Sequence, residues 1–398
     1  MSKIESFDCV IIGGGMVGAA SALSLAQLGL SVAIVEKYQP QEFSPEQPLD
    51  LRVSAISLAS QYLFEQLEIW QQLKAWRSCE YQRLGVWENA NSYVEFNAQE
   101  LGQNHLGHII ENRLIQLALW QQINKQNNIC LYCPDTLVGY KELDDFITVK
   151  LTSKEISTKL LIAADGANSQ LRQLANIGIT GWDYQQSAML INVQTQLPQQ
   201  NITWQQFLPT GPVAMLPLPS EDKNQGLASL VWYHHKDKIK HLMSLPNRLL
   251  KEEVLKTFPQ RLGDVDVVNK ASFPLTRRHA NNYQKGNVLL LGDAAHTINP
   301  LAGQGVNLGF QDVIALQAVI RDAIANNEDW CCSDVLKRYE KKRRMDNMLM
   351  MTAMDVFYGA FTHPSMIVKN IRNNALHLVN KVKPLKKQIL KHACGLDK

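Results

Sequence analysis

Charge is scarce in this sequence. Asp, Glu, Lys and Arg make up 19% of 398 residues and the formal net charge is +3. So small an excess does not fit a nucleic-acid binder, and none is expected. Cysteine is also sparse. Seven cysteines are scattered through a long chain without a secretory signal, which argues against a disulfide framework and for a reducing, cytoplasmic setting. Cys130 and Cys133 have the spacing of a metal or redox pair, but no second pair stands in register. They read as strand residues, and no metal site is expected. Repeats and low-complexity segments are absent. The one long uncharged run, Cys9 to Val35, covers 27 residues and is long enough to span a bilayer. It contains Gly13, Gly14, Gly15, Gly18 and Gly29 besides Ser21, Gln27 and Ser31, so it divides into strand, turn, helix and strand rather than one span. With 45% apolar residues, a chain of this length reads as a globular enzyme of two lobes.

That glycine-broken run is the first of three informative stretches. Asp8 to Ile12 is a β-branched strand, Gly13 to Gly18 is a GxGxxG turn, Met16 to Leu28 is a helix and Ser31 to Val35 is the next strand, ending at Glu36. Gly13 makes the turn, Gly15 lets the backbone approach a pyrophosphate, Gly18 lets helix and strand pack closely, and Glu36 is positioned for ribose hydroxyls. The second stretch is the strand Leu160 to Ala164 running into Asp165-Gly166, where Asp165 either caps the next helix or joins a ligand site. The third spans Val288 to Gly309. Its strand ends at Gly292-Asp293, Pro300, Gly303 and Gly305 shape a loop, and a helix follows from Val306. Such a loop offers free N–H groups and a dipole end to delocalised negative charge, as on a reduced flavin. A plain nicotinamide dehydrogenase has no use for this second site, so the pattern favours FAD. Arg52 either clamps a diphosphate or forms a surface ion pair. Arg113, in the first turn of the next helix, sits against the dipole preference and requires a compensating anion.

From Trp182 to Pro274 the texture changes to alternating apolar residues with proline-rich joints, the pattern of an antiparallel sheet. Trp204, Phe207, Met215, Leu218, Trp232 and Phe273 are candidates to line an apolar substrate pocket, with ordinary core packing as the alternative for each. Single helices are expected over Ser57–Leu73 and Leu245–Phe258, and helix from Asp312 to the end. Met345, Met348, Met351 and Met354 form an apolar stripe. From Met366 onward eight Lys or Arg residues face one Asp, a basic segment able to touch anionic lipid or an acidic partner.

With GGGMVG (13–18), ADGANS (164–169) and GDAAHTINPLAGQGVNLG (292–309) in this order, the sequence resembles the single-component FAD-dependent aromatic hydroxylases. DLRVSAISLAS (50–60), ENRLIQLALW (111–120), TWQQFLPTGPVAMLPL (203–218), SLVWY (229–233) and FPLTRRHA (273–280) narrow the resemblance to the hydroxylases of ubiquinone biosynthesis. The resemblance implies an α/β fold: a Rossmann-like FAD-binding domain, an inserted antiparallel β-sheet substrate domain and a helical C-terminus. The FAD-binding domain is assigned residues 1–80, 111–181 and 281–330, the substrate domain 81–110 and 182–280, and the helical region 331–398. It implies hydroxylation of a polyprenyl benzoquinol by O2, with NAD(P)H reducing the flavin and a C4a-hydroperoxide carrying the oxygen. Gly13, Gly15, Gly18, Glu36, Arg52, Arg113, Asp165, Asp293 and Asn307 are implied FAD contacts, and Pro300, Gly303, Gln304 and Gly305 the loop beside the reactive ring. His296 and His279 stay undecided between base and structural hydrogen-bonder. The rival readings are attack at another ring position or on another aromatic, a prenyl-chain reductase with the same motifs, and a redox-silent FAD or lipid-binding scaffold. A halogenase is disfavoured because its W-x-W-x-I-P motif is missing. Oligomerisation and peripheral contact with a membrane or biosynthetic complex are further expectations.

Overall fold

The structure is a computed structural model that describes residues 4–222, 224–298, 305–362 and 365–396. Its first layer is a parallel sheet in the order Val288–Leu290, Glu155–Ala163, Glu5–Ile12, Val32–Val35 and Ile129–Tyr132. Cys9 to Ile12, Val32 to Val35 and Val288 to Leu290 are buried on both faces, as parallel strands covered by helices must be. The helix Met16–Ala26 is small-sided (Gly18, Ala19, Ala20, Ala22). It therefore nests between the sheet and the helices Asn112–Ile123 and Gly305–Ala325. A hairpin, Leu137–Glu142 with Ile147–Leu151, extends this sheet antiparallel from Glu155–Ala163.

The second layer is an eight-stranded sheet in the order His296–Thr297, Val265–Ala280, Ile179–Thr195, Leu227–His235, Gly211–Leu218, Ile202–Leu208, Arg83–Trp87 and Val94–Asn97. Every pairing is antiparallel except that of Ile202–Leu208 with Arg83–Trp87. One face packs on the helices Lys236–Ser244 and Asn247–Thr257, burying Trp204, Met215, Leu230 and Trp232 with Ile239, Leu250 and Val254. The other face turns toward the parallel sheet. The short strand His296–Thr297, paired to Arg278 and His279, lies just beyond the strand Val288–Leu290 and joins the two layers.

Two helix expectations are corrected. Ser57–Leu73 is two helices, Leu58–Gln66 and Trp70–Trp76, separated where Glu68 takes a φ of 60°. Leu67, Ile69 and Trp70 at the joint are all buried, so packing a bent segment hides more apolar surface than continuing straight. The stretch after Asp312 is likewise divided, into Gly305–Ala325, Ser333–Thr362, Met366–Lys381 and Lys383–Ala393. Asn327 at a φ of 56° and Pro384 mark two of the joints. No helix of the described residues is long and apolar enough to cross a membrane.

Candidate active site

Three parallel strands, Glu5–Ile12, Glu155–Ala163 and Val288–Leu290, are neighbours and end at the same edge, so their loops meet. They open into a cavity of about 770 Å³ whose wall includes Gly15, Arg52, Gly166, Gly292, Asp293 and Gly305. The opposite wall is the free face of the large sheet, with Leu190, Gln205, Leu216, Ser229, Val231 and Phe273. One space therefore lies between a nucleotide-type edge and a mainly apolar sheet face.

The glycines of the first turn have separate causes. Gly13 has a φ of 101°, and a Cβ there would sit 2.4 Å from the Ala164 carbonyl oxygen. At Gly18 a Cβ would meet the Gly13 carbonyl oxygen at 1.9 Å, so close crossing of strand and helix requires its absence. Gly15 is different. Nothing in the protein lies within 4 Å of where its Cβ would be, and as N-cap of the helix Met16–Ala26 it brings no side-chain acceptor to the helix's first N–H groups. Free donors at a helix start, facing the cavity, suit a phosphate.

Asp293 is exposed where it faces the open cavity, while protein packs densely around its other sides. That surrounding protein holds its carboxyl above the usual aspartate range; His296 and Arg52 oppose the rise, and Asp312 adds to it. An under-supplied carboxylate of this kind is ready to accept from ligand hydroxyls. Asp165 accepts at one oxygen from the N–H groups of Gln170 (2.7 Å) and Leu171 (3.2 Å), the capping reading. Its other oxygen is buried without a partner among the described residues, as is the Ser229 hydroxyl in the sheet wall. The open space at Gly15, the cavity-facing Asp293 and these orphaned polar atoms together fit a bound dinucleotide.

Several candidates are engaged elsewhere in the protein. The Glu36 carboxylate accepts from Gly14 N–H at 2.7 Å and from Lys37 and Tyr38, bracing the glycine turn. Arg113 pairs with Asp50 at 2.9 Å, the compensating anion its position required, and donates to the carbonyls of Gln41 and Glu42. Asn307 accepts from Ser57 N–H and the Ser60 hydroxyl and donates to the Ala55 carbonyl, fastening the strand Val53–Ser57 to the helix Gly305–Ala325. Pro300, Gly303 and Gln304 lie outside the described residues.

The substrate-pocket expectation needs the larger correction. Trp204, Met215 and Trp232 belong to the helix-covered face of the sheet, not the cavity face. Phe207 stacks on Phe361 with ring centroids 3.9 Å apart, and Leu218 borders a separate cleft of about 620 Å³ near Phe43 and Trp76. Of the six, Phe273 lines the main cavity. Successive side chains of a strand alternate faces, so Ala214 and Leu216 point where Met215 does not, and Ser229, Val231 and Tyr233 point where Trp232 does not.

Sequence reasoning missed what lies beneath the site. Fully buried Asp312 accepts from Gly292 N–H at 2.9 Å, pairs with His296 at 2.6 Å and with Arg343 Nε at 2.7 Å, and also takes Asn347 Nδ2. Burial alone would raise its carboxyl, but His296 and Arg343 hold it well below the usual range. His296 is thereby a structural partner, and His279, bonded to Tyr283 at 2.9 Å, is pushed down to about 4 chiefly by burial. An Asp in an otherwise apolar helical pattern, one helix ahead of an Arg-rich segment, was the available signal.

Comparison with known proteins agrees with this geometry. The FAD binding domain family matches residues 6–353. The chain is 44% identical to 3-demethoxyubiquinol 3-hydroxylase of Escherichia coli (strain K12), covering 98% of both chains. It is 31% identical to ubiquinone hydroxylase UbiL of Rhodospirillum rubrum, over 98% of this chain and 89% of that one. The p-nitrophenol 4-monooxygenase PnpA of Pseudomonas putida DLL-E4 shares the fold, with a TM-score of 0.79 at 17% identity over 99% of each chain. With the dinucleotide edge, the sheet-walled cavity and this family match together, the chain belongs to the FAD-dependent hydroxylase family that includes the ubiquinone hydroxylases.

Proposed function

We propose that this chain hydroxylates the aromatic ring of a polyprenylated benzoquinol in ubiquinone biosynthesis, using FAD, NAD(P)H and O2. The specific reading is the step on 2-octaprenyl-3-methyl-6-methoxy-1,4-benzoquinol, which adds the last ring hydroxyl. The observation that carries it is the shared cavity, in which Gly15, Arg52 and Asp293 face the sheet residues Leu190, Leu216, Val231 and Phe273.

FAD, when bound, accepts hydride from NAD(P)H and activates O2; the protein supplies position and environment. The helix start at Gly15 and the Arg52 guanidinium are suited to the cofactor's negative charge, and Asp293 to its sugar-alcohol hydroxyls. Gly305, with Pro300, Gly303 and Gln304 before it, is assigned to the edge of the reactive ring. The apolar sheet face keeps water from the oxidising centre and holds the quinol ring against it. Gln205 and the Ser229 hydroxyl are the polar groups on that face available to orient ring oxygens. A quinol is electron-rich already, so no side chain need remove its proton before attack.

Two further readings accompany the catalytic one. The chain divides by function into residues 1–80, 111–181 and 281–330 for FAD, 81–110 and 182–280 for substrate, and 331–398 as the helical end. The basic C-terminal segment contacts a membrane or a biosynthetic complex, and two of its cations already serve the protein, in Arg372–Glu88 and Lys386–Glu100. The test of the catalytic reading is NAD(P)H oxidation by the FAD-loaded chain with and without a short-tailed demethoxy quinol. Strong stimulation by quinol supports it, and a rate indifferent to quinol favours the scaffold alternative. Mass spectrometry of the quinone intermediate accumulating in cells lacking the protein identifies the ring position.

A further inference from the structure

The helix Ser333–Thr362 has two unlike sides. Inward, Arg343 and Asn347 join Asp312, Met351 packs on Ile298 and Leu308, and Met354 packs beside Tyr233 and Phe273, residues of the cavity wall. Asp355 ties the same helix to the sheet edge through Arg277 at 2.8 Å and the Tyr184 hydroxyl at 2.6 Å. Outward, Met345 is 63% exposed, Met348 45%, Leu349 64% and Val356 63%. At 100° per residue these four fall in one stripe opposite Arg343 and Met354. Lys341 and Lys342 are exposed along the stripe; one turn further Arg338 is paired with Glu328 and Asp334 follows, so the acid-free part runs from Lys341 to Val356.

We propose that this outer face docks on an anionic lipid surface, so that the helix packed behind the cavity wall also seats it against the bilayer. Apolar side chains bordered by lysine and free of acids are the composition of an interfacial helix. A second copy of the chain fits poorly. With the two helices parallel about a two-fold, Lys341 and Lys342 would meet their own equivalents, which is repulsive, and an antiparallel pairing from Lys341 to Val356 offers them no acidic partner. The inference rests on the polyprenyl reading above, since a substrate dissolved in lipid gives the cavity reason to sit at a membrane. It differs from the C-terminal contact in naming another element and a lipid occupant.

The experiment is co-sedimentation of the full FAD-loaded chain with phosphatidylcholine vesicles, with and without phosphatidylglycerol. Wild type is expected to pellet with the anionic vesicles and to be released by salt. Replacing both lysines (Lys341→Gln, Lys342→Gln) is expected to weaken binding about thirtyfold, and Leu349→Ser with Val356→Ser to weaken it comparably. All four positions are exposed, so folding is retained, and each variant should oxidise NAD(P)H with a short-tailed, water-dispersed quinol at the wild-type rate. Equal vesicle binding by wild type and variants, or none by wild type, overturns the proposal. So does concentration-dependent dimerisation that Leu349→Ser abolishes, which assigns the face to a second copy. Loss of quinol-stimulated oxidation in wild type itself would instead overturn the catalytic reading, leaving the vesicle result to be judged alone.

Discussion

Gly15 and Gly18 stand three residues apart in one turn, yet they answer to different constraints. At Gly18 the obstacle is the protein's own backbone, 1.9 Å from an added Cβ, so Gly18→Ala should cost roughly 1–3 kcal/mol of stability, read by denaturant unfolding. At Gly15 the added methyl meets nothing in the protein, so Gly15→Ala should unfold like wild type while binding FAD more weakly in a fluorescence titration. Asp293 gives a pH test. Its carboxyl is raised by the surrounding protein, and accepting hydroxyls favours the ionised form, so bound FAD should lower its pKa. FAD affinity should accordingly be full above the raised pKa and weaken as pH falls through it. Asp293→Asn should bind weakly with that pH dependence removed, and an unaltered profile in the variant would show that another group titrates.

At the scale of elements, the two faces of the large sheet can be separated by experiment. Met215 is packed against helices and Leu216 lines the cavity. Met215→Ala should cost about 2–5 kcal/mol of stability with KM for quinol preserved. Leu216→Trp should raise KM with little loss of stability. The buried Asp312–Arg343 pair offers a second test: Asp312→Asn leaves the guanidinium only the partly exposed Asp346 and should destabilise by about 3 kcal/mol, with either Gly292 or Arg343 losing its acceptor. Thermal unfolding of the single variants and of the double Asp312→Asn, Arg343→Met measures the coupling. These elements also show why legibility was uneven. The strand–turn–helix units were readable because glycine spacing and apolar runs are local signals. Cavity residues were not, because large aromatics draw attention while strand parity decides direction. Trp204 and Trp232 are the largest side chains on their strands, and they face the helices. The Asp312 network was hidden because its members, from Gly292 to Asn347, come together only once the last helices pack.

For the whole molecule, two layers meet along an edge that is polar on one side and apolar on the other, and the bridge between Arg278–His279 and His296–Thr297 fixes their spacing. That arrangement explains why a dinucleotide motif, a sheet without catalytic residues of its own and a helical end occupy one chain. It also explains how the fold was expected from the sequence while the Glu68 joint was not: that joint follows from packing, whereas Asn327, left-handed just after a helix, is a local stop signal. The most direct measurement supplies the FAD-loaded full chain with NAD(P)H and a short-tailed demethoxy quinol under isotopically labelled O2. The account predicts a hydroxylated product carrying label from O2. NAD(P)H consumption that yields peroxide alone, or a product oxygen drawn from water, would contradict it.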